Sequence, residues 1–220
     1  LATDLAAANQ EKLHALQALF MTEAEKYHVL PLDDRLLIRT DAKAVGRPVL
    51  LGDRTSVTYY EGMRAMGVDI FIDLRNISYT MTAEVEIGAG GNGVIVCQGG
   101  RFGGLSFYMK DGKPAFSYNF LGLETTQIIA DTPLEQGKYT IVYDFKYDGG
   151  GLGKGGQGTI TVDGNQVASG RLERTQPGIF SVDDLADIGI DEGTPVADYG
   201  ASSKFNGKIE KVTVEIFPKK

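Results

Sequence analysis

Glu84 and Glu86 leave the same face of a stretch, Tyr79 to Ile87, that alternates apolar and polar residues. On a strand their Cα atoms stand roughly 6.6 Å apart at about 3.3 Å per residue. Retaining glycosidases hold two carboxyl groups about 5–5.5 Å apart, so the pair has the residue types for acid and nucleophile. Gly88 and Ala89 follow, however, and no third acid continues the register. The simpler reading is a solvated polar strand face. A second acidic group, Asp183, Asp184, Asp187, Asp191, Glu192 and Asp198, surrounds a turn-rich segment from Gly189 to Pro195. Calcium takes six to eight oxygen ligands, which makes Asp187, Asp191 and Asp198 candidate ligands of a structural calcium. Their spacing fits no EF-hand loop, and acidic loops are commonly only solvated. Sugar binding would need stacking faces and polar partners. Tyr108, Tyr118 and Tyr59 are candidates for the first, and Arg101, Lys110 and Lys113 for a small basic patch that would meet an acidic glycan. Leu105, Phe107 and Met109 alternate with Ser106, Tyr108 and Lys110, which puts Tyr108 with the polar set. Against a sugar platform stands the absence of any tryptophan.

Three weaker patterns complete the inventory. The run from Gly149 to Gly158 resembles a phosphate loop in glycine content only. It lacks the Gly-Lys-Ser/Thr ending that would place a hydroxyl on magnesium and open a helix, so a long flexible hairpin loop is the expectation. His14 and His28 have no carboxylate arrangement implying catalysis, and no Ser-His-Asp set can be read. Asn76-Ile77-Ser78 is a glycosylation sequon by pattern alone.

These residues need a scaffold. The 220 residues suffice for one full sandwich-type core and a short appendage. A net charge of −7, from 22 basic and 29 acidic residues, argues against nucleic acid and anionic membranes as partners. No apolar run reaches bilayer-spanning length, so no membrane insertion is expected. The single cysteine, Cys97, excludes an internal disulfide framework and a cysteine-based metal site.

Positional periodicity divides the chain at about residue 40. From Asn9 to Leu30 apolar residues fall at Leu13, Leu16, Phe20, Ala24 and Tyr27, the spacing of one helix face. Asn9 occupies an N-cap position with Glu11 in the first turn, and Pro31 should end the helix near Val29 or Leu30. Residues 1–40 thus read as a helical segment with an extended exit, and 41–220 as β-structure. Strands are expected at Val49 to Leu51, Ser56 to Tyr60, Tyr79 to Ile87, Gly93 to Cys97, Leu105 to Lys110, Pro114 to Leu121, Lys138 to Tyr147, Thr159 to Val162, Gln166 to Ala168 and Ile209 to Phe217, with a looser stretch from Gly62 to Asp69. Asp111-Gly112-Lys113 and Asp163-Gly164-Asn165 are hairpin signals. Many short antiparallel strands without crossover helices mean a mainly β fold, a β-sandwich or jelly roll, preceded by one N-terminal amphipathic helix.

Residues 11–20 and 23–35, ending in Leu32-Asp33-Asp34-Arg35, resemble the stretch that closes the catalytic region of bacterial arylsulfatases. Tyr79-Thr80-Met81-Thr82-Ala83-Glu84-Val85-Glu86-Ile87, Gln98-Gly99-Gly100-Arg101-Phe102-Gly103-Gly104 and Tyr143-Asp144-Phe145-Lys146-Tyr147-Asp148-Gly149 resemble the C-terminal extension of long members of that family. So do Gly155-Gly156, Val162-Asp163-Gly164 and Phe205-Asn206-Gly207-Lys208-Ile209. The resemblance implies a concanavalin-like sandwich of the lectin and glucanase type. It also implies that the chain, which opens on Leu1, is the C-terminal piece of a longer enzyme, whose upstream catalytic domain would receive the 9–30 helix. The formylglycine and calcium of such an enzyme would lie in that domain, with no cofactor in this chain beyond the structural calcium considered above. Cys97 and Arg101 do have the family spacing of Cys/Ser-x-Pro-x-Arg, but Gly99 stands at the proline position and Cys97 ends an apolar strand, which favours a buried thiol. Glucanases of this fold use Glu-x-Asp-x-x-Glu, which is absent here. The resemblance therefore implies a non-catalytic accessory region of an arylsulfatase-type sulfuric ester hydrolase, inactive alone. The alternative is a stand-alone carbohydrate-binding lectin-like module, with Tyr108, Tyr118 and Arg101 as its candidate ligand-binding residues. By analogy the bacterial periplasm or cell envelope is favoured over the cytoplasm.

Overall fold

In a computed structural model of the chain, residues 3–35, 38, 42, 44–181 and 184–218 are described. Two compact units are present, Leu1–Val49 and Leu50–Lys220.

The first unit carries α1 (Gln10–Lys26). Its exit differs from the expectation. The helix stops before Pro31 because His28 adopts a left-handed φ of 55°. The amide of Val29 then bonds the carbonyl of Ala24 at 2.8 Å and that of His28 bonds Glu25 at 3.2 Å. This is a Schellman closure, and it satisfies two carbonyls that the helix end would otherwise orphan. Asn9 holds the N-cap position without capping. Its side-chain amide donates instead to the Leu5 carbonyl at 3.0 Å. Of the apolar stripe only Ala24 is buried, whereas Leu16, Phe20 and Tyr27 are exposed.

The second unit is a sandwich of two antiparallel sheets. Its strands are β1 (Ser56–Tyr59), β2 (Ser78–Ile87), β3 (Gly93–Gly100), β4 (Gly103–Lys110), β5 (Lys113–Phe120), β6 (Glu124–Ile129), β7 (Gly137–Tyr147), β8 (Lys154–Val162), β9 (Asn165–Arg174), β10 (Ala186–Ile188) and β11 (Gly207–Phe217). The six-stranded sheet runs β1-β11-β2-β7-β8-β9 and the five-stranded sheet β10-β3-β4-β5-β6. The alternation of β2 orients it as expected, with Tyr79, Met81, Ala83, Val85 and Ile87 all buried. Across the core Phe116 of β5 stacks on Tyr143 of β7, with ring centroids 3.7 Å apart. Both hairpin signals form two-residue turns with positive φ at each position. These are Asp111 and Gly112 between β4 and β5, and Asp163 and Gly164 between β8 and β9.

Other expectations fail for identifiable reasons. Val49 to Leu51 forms no strand, and within Gly62 to Asp69 only Met66 makes an isolated bridge, to Ala186. The glycine-rich run is not one long loop. From Lys154 onward it belongs to β8. Glycine recurs there because neighbours fill the space a side chain would need. A Cβ on Gly156 would lie 2.5 Å from the Lys146 carbonyl oxygen and 2.5 Å from the Phe145 ring. Strands β6 and β10 have no counterpart in the sequence reading. The first is a polar edge strand, and the second is a three-residue strand inside the acidic segment, ordered by pairing with β3.

Candidate functional site

Polar residues in a strand cluster when successive strands bring their outward positions into one row. On the outer face of the five-stranded sheet the register aligns Cys97, Ser106, Ser117 and Gln127 in one row. The adjacent row is Gly99, Gly104, Asn119 and Thr125. These small and polar side chains make a low floor.

Part of that floor is covered by a strap, residues 190–204, between Gly189 and Phe205. Val196, Ala197 and Tyr199 pack on Val94, Cys97, Tyr108 and Ala115 as a second, smaller core. A register shift between Val94 and Val96 accompanies this double coverage: Val94 and Cys97 meet the strap, while Ile95 and Val96 join the main core. This is why Gly93 to Cys97 is apolar on both faces.

Carboxylates pin the strap. Asp191 accepts from the Val196 amide at 3.0 Å and the Tyr199 hydroxyl at 2.6 Å, while its own carbonyl accepts from the Ser203 hydroxyl at 2.9 Å. Asp184 accepts from the Thr194 hydroxyl at 2.6 Å. Asp187 accepts from the backbone amides of Ala65 at 2.7 Å and Glu192 at 3.2 Å. Asp198 pairs with Lys110 at 2.9 Å and accepts from the Gly200 amide at 3.0 Å. Burial pushes the Asp191 carboxyl above the usual carboxylate range, against the lowering effect of its two hydrogen bonds. Lys110 holds the exposed Asp198 below it. The three candidate calcium ligands thus serve three separate local contacts. Among the described residues no group of three or more His, Cys, Asp or Glu side chains converges as a metal site.

Beyond the strap the sheet face opens into a cleft of about 960 Å³. It is lined by Arg101, Asn119, Thr125, Gln127 and the strap residues from Thr194 to Ser203. Asn119 is the structural keystone of one wall. Its amide nitrogen donates to the Gly100 carbonyl at 3.1 Å and the Arg101 carbonyl at 2.9 Å, and its oxygen accepts from the Gly122 amide at 2.8 Å. The β3–β4 and β5–β6 turns are thereby tied together. Arg101 is further fixed by its backbone amide, which donates to the Thr194 hydroxyl at 2.9 Å. Its guanidinium is exposed and makes no ion pair among the described residues.

The candidate residues fare unequally. Arg101 lines the cleft together with Asp191 and Asp198. Tyr108 lies on the same sheet face but is fully buried under the strap, its edge against Tyr199 at 5.2 Å and its hydroxyl bonded to Ser117 at 3.0 Å. Alternation therefore placed Tyr108 on the polar face, but a loop distant in sequence covers that part of the face. Tyr118 points into the main core, and its hydroxyl accepts from the Gln176 amide at 2.6 Å. Tyr59 is buried too, donating to the Ile70 carbonyl at 3.1 Å. None of the three offers a stacking face to solvent, and the ligand-binding role expected of Tyr108 and Tyr118 has no exposed surface to act through. Lys110 is committed to Asp198.

The catalytic-looking patterns have structural explanations. Cys97 is fully buried, its thiol donates to the Ile190 carbonyl at 3.4 Å, and burial together with Asp191 pushes it well above the ordinary thiol range. Glu84 and Glu86 sit on the outer face of the six-stranded sheet, paired with Lys211 at 2.9 Å and Lys138 at 3.8 Å. The Asn76 side chain is occupied, donating to the Pro177 carbonyl at 3.0 Å and accepting from the Gly153 amide at 2.7 Å. Asn119, Thr125 and Gln127 went unread in the sequence. A signal existed for the first, since Ser117 and Asn119 alternate with Phe116, Tyr118 and Phe120.

No family profile matches the chain. No curated protein matches it. Solved structures do. NanB, the sialidase from Streptococcus pneumoniae solved with Optactamide, superposes with a TM-score of 0.51 at 12% identity over 72% of this chain and 26% of that chain. The shared feature is the fold. The chain is a jelly-roll, concanavalin-like sandwich and spans about a quarter of NanB. The Ruminococcus gnavus IT-sialidase CBM40 is also similar, at 13% identity over 75% of this chain and 92% of that chain, with a TM-score of 0.46. Mouse laminin alpha1 domains LG4-5 give 13% identity, 76% and 40% coverage and a TM-score of 0.45. Nothing in these matches supports the arylsulfatase origin that the sequence motifs imply.

Proposed function

We propose that this chain is a carbohydrate-binding, lectin-like module whose binding site is the open cleft on the five-stranded sheet. The observation that carries this reading is the combination of a polar, shallow cleft with a cation, Arg101, that makes no ion pair among the described residues and whose backbone is held in place by Asn119 and Thr194. Sugars present hydroxyl groups along an extended face, and Thr125, Gln127 and the strap backbone offer donors and acceptors at matching breadth. Within the cleft Asp198 pairs with Lys110, and Asp191 is directed to neutral donors of its own strap, so among the described residues neither acid is ion-paired with the Arg101 guanidinium. A glycan bearing an acidic group is the ligand class that uses it. The accessory role in a sulfatase, which the sequence motifs favoured, gives way to this alternative.

Titration calorimetry with acidic and neutral oligosaccharides tests the proposal. Acidic glycans should bind, and Arg101→Ala should weaken them roughly tenfold or more, the loss of one charged hydrogen-bonding partner. The melting temperature should stay within about a degree, because the exposed Arg101 side chain makes no ion pair among the described residues and such surface changes are nearly neutral. Binding that is unchanged by Arg101→Ala, or no binding by any glycan, would sink the assignment.

A further inference from the structure

The least explained surface of the molecule is the exposed face of α1. Leu16 is 54%, Leu19 56%, Phe20 49% and Tyr27 64% exposed. Along the helix Lys12, Leu16, Leu19, Glu23 and Tyr27 follow steps of four, three, four and four residues, so they form one stripe. At the N-terminal end of that stripe a groove of about 350 Å³ is lined by Leu5, Ala6, Asn9, Lys12, Leu13 and Leu16. The C-terminal end carries an exposed aromatic ring, Tyr27. The N-terminal end thus offers a recess and the C-terminal end a ring, and the two ends carry opposite charges in Lys12 and Glu23, the latter also paired with Lys26 of its own helix at 3.5 Å.

We propose that α1 is a self-association surface, on which two copies of this chain pair antiparallel about a two-fold axis passing between Gln17 and Ala18. An isologous contact requires that positions equally far from the axis face one another. Here Lys12 faces Glu23 of the partner, and Leu16 faces Leu19. Tyr27 lies about 14 Å beyond the axis, at 1.5 Å per residue, and comes over the partner's groove. All three contacts occur twice. A parallel pair would instead set Lys12 against Lys12 and Glu23 against Glu23, leaving both ends repulsive. The second copy is thus the occupant whose charge and shape the stripe itself specifies. This inference is independent of the glycan reading.

Sedimentation equilibrium of the full chain tests it, over a concentration series reaching about 1 mM, where an interface this small associates. The expected result is a monomer–dimer equilibrium. Lys12→Glu and Glu23→Lys should each weaken the dimer roughly tenfold, because each turns two attractive pairs into two repulsive ones. The double reversal should restore it. Both substitutions suit the helix dipole, an acid in the first turn and a base in the last, but Glu23→Lys also removes the pair with Lys26, so unchanged far-ultraviolet circular dichroism separates lost association from a melted helix. A monomer at every concentration overturns the proposal, whether α1 then faces water or a different protein. So does a dimer indifferent to the single reversals, or one that the double reversal fails to rescue.

Discussion

Replacing Asp191 with alanine tests whether one buried carboxylate holds the strap, and with it the cleft. Asp191 accepts hydrogen bonds from the buried Val196 amide at 3.0 Å and from the Tyr199 hydroxyl at 2.6 Å. Alanine leaves both donors without a partner beneath a covered surface. Each unsatisfied buried donor costs about 1–3 kcal/mol, so the gross loss is about 2–6 kcal/mol. Removing a desolvated carboxylate returns part of that cost, since burial already pushes its pKa upward. A net loss of about 3 kcal/mol is expected, which for a domain of this size lowers Tm by about 6–12 °C. Asp191→Asn keeps an acceptor and should lose less, about 1–2 kcal/mol. The pH dependence has a definite sign. The folded carboxyl titrates above the unfolded one, so its stabilising contribution is complete below the unfolded pKa near 4 and is lost as pH rises through the folded value. The advantage of the native chain over Asp191→Asn should therefore grow as pH falls from 7 toward 4. Urea denaturation followed by far-ultraviolet circular dichroism gives these values, and amide hydrogen exchange at Val196 reports the strap directly. A loss below about 1 kcal/mol with unchanged exchange at Val196 would refute the reasoning, because the strap would then be held by packing alone.

Other expectations are simpler to check. Gly156→Ala places a methyl 2.5 Å from both the Lys146 carbonyl and the Phe145 ring. It should destabilise the sandwich by about 1–3 kcal/mol, read as a lower urea midpoint; a neutral result would mean that β8 can move away from β7 at no cost. Cys97 is buried and its thiol is shifted upward, so the native chain should resist a thiol reagent at pH 8 and react fully once unfolded. Rapid labelling of the folded chain would contradict the strap's coverage of β3. Phe116→Ala removes the ring stacked on Tyr143 at the centre of the core and should cost about 3–5 kcal/mol by the same denaturation assay.

Much of this molecule is written locally. The alternation from Tyr79 to Ile87 fixes which face of β2 is buried, because side chains on a strand have a period of two wherever that strand lies. Asp-Gly at 111–112 and 163–164 closes two hairpins, since both positions need the left-handed backbone that those residues tolerate. The helix from Gln10 is likewise legible from its own spacing. What the sequence left open depends on segments far apart in the chain. Tyr108 carries the same alternating pattern whether its face meets water or the strap, and only the seating of residues 190–204 decides that it is buried. The acids at 184, 187, 191 and 198 read alike as metal ligands or as pins, until Thr194, Tyr199, Ala65 and Lys110 arrive to take them. The cleft itself joins Arg101, Asn119 and Gln127 with the strap. Strand order and loop coverage are settled by burial summed over the whole core, and no local window of residues contains that sum.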